Sequence, residues 1–238
     1  MLQKEWSASV VIKGAISFSD RFCLNDVELR SRSQDIVATC RVYANSSSNA
    51  QDIVIRKISD VLDIISFLSD QHMEIKGAVN LQSTGGGIAD LPASFSVRRI
   101  LNEHDIQEIE NYNQTLSDAQ TTDYLRALSY YRKGLGSIDP FDKFVSFWQT
   151  IEIVINKVSG RGGIRNKAET FFNHIPMLLP PEFEVYREMR NNIVHGSKSR
   201  DIDQIRNVSG NIEGIKKLAT LVLQKAKENR TLNQIILE

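Results

Sequence analysis

The chain of 238 residues holds two cysteines, five prolines and thirteen glycines, and has no excess of either charge. Each shortage excludes something. Two thiols, Cys23 and Cys40, cannot make the framework of a disulfide-stapled domain; with no export signal in view they are expected to be reduced and buried. So little proline and glycine excludes collagen-like and low-complexity chains, and 41% apolar residues exclude intrinsic disorder. No apolar run approaches the roughly 18 residues that cross a bilayer. The opening MLQKEWSASVVIKG is interrupted by charge, so a secretory signal is not expected and the protein reads as cytoplasmic, with no membrane partner.

Ligands for metals are sparse too. His72, His104 and His174 are scattered and lack Cys, His or carboxylate partners at ligand spacing, so no zinc site is expected. There is no serine-centred nucleophile elbow and no dinucleotide fingerprint. The run Ser83-Thr84-Gly85-Gly86-Gly87 is followed by Ile88-Ala89-Asp90 instead of the Lys-Ser/Thr pair of a phosphate loop, and reads as a hairpin connection.

What is present divides the chain in two. Residues 1–120 carry 11 basic and 16 acidic side chains, whereas residues 121–238 carry 18 and 13, which suggests two bodies with different partners. The first hundred residues read as strands: Ser7–Lys13, Ala15–Ser19, Asp26–Arg30, Asp35–Tyr43, Met73–Gln82 and Ser94–Leu101 are short and rich in Val, Ile and aromatics. One long helix interrupts them over Ala50–Ser69, where Val54, Ile58, Val61, Leu62, Ile65 and Leu68 mark one buried face. A serine of Ala44–Asn49, or Asn49 itself, is its expected cap.

From about Asn102 the apolar period changes to three or four. Helices are expected over His104–Leu116, Thr122–Lys133, Pro140–Val158, Asn166–His174, Glu182–Val194 and Asp201–Asn229. Phe144, Trp148, Ile151, Ile155 and Val158 form one stripe, read as core, and Asp139-Pro140 supplies a cap and a first-turn proline. The fold class is therefore α+β: a strand-rich domain over 1–101, a connecting segment over 102–120, and an all-helical domain over 121–238.

The segment with chemistry in it is Glu188-Met189-Arg190-Asn191-Asn192-Ile193-Val194-His195-Gly196. Gly196 is a natural helix terminator, which puts His195 in or just past the last turn. An ideal helix would separate Arg190 and His195 by about 7.5 Å of rise and about 140° of rotation, so they share a cleft only if the helix ends or distorts there. Two cations near a helix C-terminus are also favourable simply through the dipole, by about 0.3–1 kcal/mol each.

Arg190-Asn191-Asn192-Ile193-Val194-His195, an Arg followed by a polar residue and then a His after four intervening positions, resembles the signature of HEPN domains, a helical nucleotide-binding and ribonuclease family. The resemblance extends over roughly residues 120–230, with an aromatic-rich long helix, a short helix, the motif helix and a long closing helix. It implies a metal-independent RNA endonuclease needing no cofactor, working as a homodimer, in stress, antiphage defence or toxin–antitoxin response. His195 would be general acid or base, Arg190 would stabilise charge on the phosphorane, and Asn191 would orient the histidine or bind phosphate. The other implied role is a non-catalytic HEPN-like module that dimerises and binds protein or nucleotide. Beside a nuclease the front domain would sense a ligand or regulatory protein, or hold the nuclease inactive; in the other role it would bind another protein.

Several further residues are candidates beside the motif. Lys198 and Arg200 follow it directly and would contact RNA phosphate. Lys157, Arg161, Arg165 and Lys167 lie in an eleven-residue stretch without an acid that would wrap a phosphate chain or is a solvated loop. Glu152, four residues after Trp148, would tune His195 by charge pairing or is an ordinary polar-face residue.

Overall fold

A computed structural model describes residues 4–18, 20–32, 35–82, 99–116, 121–158, 162–195 and 202–228. The chain separates into two compact units, residues 1–117 and 118–238. The layout is α+β.

In the first unit, strands β1 (Lys4–Gly14), β3 (Phe22–Leu24), β4 (Val27–Arg32), β5 (Asp35–Ala44) and β6 (Met73–Gln82) form an antiparallel sheet in the order β3-β4-β5-β1-β6. The short strands β2 (Ile16–Phe18) and β7 (Arg99–Leu101) pair in parallel beside it. Alternation sorts most of the side chains, with Val11, beside a register shift between β1 and β6, buried on the other face as well. Val10, Ile12, Leu29, Ile36 and Ala38 are at most 1% exposed, while Ser7, Arg30, Arg41 and Tyr43 on the opposite face meet solvent. Helix α1 (Ser47–Ser69) packs on β4, β5 and β6 and closes the apolar face. Its N-cap is Ser46, whose hydroxyl accepts from the Asn49 N–H at 3.2 Å. Helix α2 (Glu103–Leu116) falls in the expected connecting segment, but packs on α1, β3 and β7 and so belongs to this unit. Reciprocal amide bonds of 2.9 and 2.8 Å join Asn25 to Asn113 on α2.

Two expectations are corrected here. Strand β3 is additional to the expected strands, and Asp26 is a turn residue: Asn25 and Asp26 take φ of 50° and 57°, a two-residue loop with both residues left-handed, joining Leu24 to Val27. Cys23 is exposed instead of buried, because it is the central residue of β3 and its neighbours Phe22 and Leu24 face inward. Cys40 is buried and unoxidised, and burial pushes its thiol up, with the charge of Lys57 opposing. The glycine run 83–87 and residues 94–98 lie outside the described residues.

The second unit is a helical bundle of α3 (Thr121–Gly136), α4 (Pro140–Ile155), α5 (Ile164–His174), α6 (Glu182–Val194) and α7 (Ile202–Glu228). Helix α4 is central, packing on the other four. Asp139 caps it, accepting from the N–H groups of Phe141 and Asp142 at 2.8 and 3.0 Å, with Pro140 in the first turn. Phe144, Phe147, Trp148, Ile151 and Ile155 are at most 1% exposed, each burial contributing about 1.5–3 kcal/mol. The helix stops at Ile155, before the expected Val158, where Asn156 caps it and a short turn takes over. Gly134 lets α3 approach α4, since a Cβ there would lie 2.8 Å from the Phe147 ring. Tyr131 Oη and Thr220 Oγ1, 3.0 Å apart, tie α3 to α7.

Candidate active site

The site begins with the way α6 is seated. Pro180 and Pro181 precede the helix, and Glu182 and Glu184 in its first turn suit the dipole. Phe183, Tyr186 and Met189 form its buried side. Phe183 packs on Trp148 of α4, ring centroids 5.3 Å apart. Arg190 stands seven residues after Phe183, two turns along the same side, and Glu152 stands one turn after Trp148. The aromatic contact therefore sets up the polar one.

Arg190 Nη2 donates to Glu152 Oε2 at 3.5 Å, an ion pair whose two side chains are 23% and 27% exposed. Nη1 donates to Asn191 Oδ1 at 3.1 Å, while Nε is buried without a hydrogen-bond partner. Thus Arg190, Asn191 and Glu152 converge. Glu152, considered above as a partner of His195, has its carboxylate on the arginine.

His195 ends the helix. As C-cap it takes φ −88° and ψ 1°, in the bridge region, and its N–H donates to the Asn191 carbonyl at 3.0 Å. That bond still has helical spacing, so the side chain leaves close to the helical register, about 140° round the axis from Arg190, and His195 is exposed. The motif thus combines a half-buried, carboxylate-held guanidinium with an open imidazole at one helix end.

The other candidates fare differently. Arg165 donates to Glu169 at 3.1 Å and pairs with Glu184 at 3.6 Å, and Glu184 also accepts from Arg187 at 2.8 Å. The Glu169 bond, then the Glu184 charge, hold the Arg165 guanidinium above its ordinary value. Lys167 donates to the Asn156 carbonyl at 3.2 Å, and Lys157 pairs with Asp123. The stretch has no acid of its own, but acids of α3 and α6 and a helix-end carbonyl reach it. Arg161, Lys198, Arg200 and Gly196 lie outside the described residues.

A groove of about 510 Å³ runs between α6 and α7. It is lined by Glu188, Asn192, Asp203 and Asn207 among others, and by neither Arg190 nor His195. Two carboxylates make it a poor seat for phosphate. Tyr186 packs edge-on to Phe144 at 6.0 Å, and its hydroxyl abuts Gly214 of α7 so closely that a Cβ would collide with it. Burial, then the Glu182 charge, push its phenol up. That contact, like the Arg165–Glu184 pair, joins residues far apart in sequence and had no local signal.

Among the described residues no three His, Cys, Asp or Glu side chains converge as metal ligands, and no helix is long and apolar enough to cross a membrane. Comparisons with protein-family models, with curated proteins and with solved structures find no match to this chain.

Proposed function

We propose that the helical unit is a metal-independent RNA endonuclease of HEPN type, acting as a homodimer on cytoplasmic RNA under stress, antiphage defence or toxin–antitoxin control. The observation that carries the proposal is the convergence of Arg190, Asn191 and Glu152 one and a half turns before an exposed His195. In this reaction the RNA 2′-hydroxyl attacks the adjacent phosphorus. The P–O5′ bond breaks, giving a cyclic phosphate and a 5′-hydroxyl. His195 takes the 2′-hydroxyl proton or gives one to the leaving oxygen. Arg190 supplies fixed N–H donors to the phosphorane oxygens, where charge accumulates. Each of its Nη atoms carries a second N–H beyond the one given to Glu152 or Asn191. Glu152 holds the guanidinium in place, so orientation is prepared before RNA arrives. The strand-rich unit regulates the nuclease through a ligand or protein.

One observation favours a second reading, a non-catalytic HEPN-like module that dimerises and binds protein or nucleotide: the Arg190 guanidinium is already engaged by Glu152 and Asn191. Products decide between the two. Labelled single-stranded RNA and transfer RNA are incubated with the full chain in EDTA, and the new ends are characterised. Cyclic phosphate and 5′-hydroxyl ends are the expected result. Ends bearing a 5′-phosphate, or cleavage abolished by EDTA, would contradict it.

A further inference from the structure

The open face of the five-stranded sheet holds a concave surface independent of the motif. Strand pairing aligns Cys23, Glu28, Thr39, Ser9 and Asn80 in one row across all five strands. Arg41, Ser7 and Gln82 make the next row, and Tyr43 with Glu5 the one beyond. Paired residues project to the same side, so short hydroxyls form a floor between longer side chains. The result is a trough of about 710 Å³, within the roughly 300–1,000 Å³ of small-molecule sites.

Charge narrows what fits. Among the described lining residues Arg41 is the one cation and stands among the carboxylates of Glu5, Asp26 and Glu28, so no cluster of positive charge faces the trough to hold phosphates, nucleotides or RNA. Yet each acid has a basic neighbour: Glu5 has Arg41 at 3.8 Å, Asp26 has Lys57 at 3.2 Å, and Glu28 has Arg21 at 3.5 Å as well as Arg30. Among the described residues, then, no lining carboxylate is left without a basic neighbour to hold a cation. An uncharged ligand rich in hydrogen-bonding groups remains. Hydroxyl, amide and carboxylate groups together offer both donors and acceptors to neighbouring hydroxyls. Tyr43, 61% exposed at the rim, adds a ring face for C–H groups.

We infer that this trough binds a neutral carbohydrate. The full chain is titrated with maltose, cellobiose and diacetylchitobiose, with AMP and spermidine as charged controls, by calorimetry and saturation-transfer NMR. At least one saccharide saturates the wild type with Kd of about 1 mM or tighter. Tyr43→Ala weakens that binding about tenfold by removing the ring face. Ser9→Arg abolishes it by filling the floor, with folding checked by melting. Should Ser9→Arg not fold, exposed Tyr43→Ala still decides. The inference is overturned if no saccharide binds at about 10 mM, if Tyr43→Ala keeps full affinity, or if AMP or spermidine binds more tightly than every saccharide.

Discussion

Single side chains in the helical unit carry the sharpest consequences. The Arg190–Glu152 pair is three-quarters shielded from solvent, and with Nε unpartnered the fork is fixed by the carboxylate together with the Asn191 amide. Glu152→Gln keeps the shape and removes the charge. It is expected to lower cleavage about tenfold by loosening the guanidinium, with a stability loss of about 1 kcal/mol read from the melting curve. Unchanged turnover would show that Glu152 does not position Arg190. Tyr186 gives a pH signature. Its folded phenol holds the proton more tightly than an unfolded one, whose ordinary value is 10.0. Its contribution is therefore complete below that value and is lost as pH rises through the raised folded one. Tyr186→Phe should flatten the alkaline fall in melting temperature above pH 10; a parallel fall in both proteins would contradict the burial argument.

At the scale of elements, α6 and α7 are held close by one glycine. Gly214→Ala gains about 1 kcal/mol of helix propensity but drives a methyl into the packed Tyr186 hydroxyl, which costs about 1–3 kcal/mol. A net loss of about 1 kcal/mol is expected by denaturant titration, and Tyr186→Phe in the same chain should restore it. A stabilised Gly214→Ala would show that the helices are farther apart. Elements were also where the sequence was most legible. The long periodic segments α1, α4 and α6 and strands β1, β5 and β6 follow from hydrophobic spacing, since burying one face rewards one period. Strand β3 leaves no sequence signal because three residues show no period, and Asn25-Asp26 is a weaker turn signal than Asn-Gly. At the site, the Arg190–His195 spacing and the helix end at His195 could be read locally. The seat of Glu152 on Arg190 could not, because it depends on Phe183 meeting Trp148 across two helices. Likewise the 157–167 stretch, read as a phosphate wrap or a solvated loop, has acids of other helices, Asp123 on Lys157 and Glu184 on Arg165, that only packing brings near, whereas Glu169 lies one turn from Arg165 in sequence.

The molecule as a whole consists of two units that each bury their own apolar side chains, a sheet closed by α1 and a bundle built around α4. A fragment of residues 118–238 should therefore melt cooperatively with the circular dichroism of a helical protein. A featureless melt would mean that its core is incomplete without the first unit. The division would also separate the two proposed roles: chemistry in the basic half, ligand recognition in the acidic one. Everything about the first role depends on Arg190 and His195 acting together. The deciding measurement is RNA cleavage in EDTA by the full chain, by Arg190→Ala and by His195→Ala, each verified as folded. Cleavage by the wild type and its loss by at least a hundredfold in both variants is the expected result. Wild-type activity that survives either substitution would contradict it.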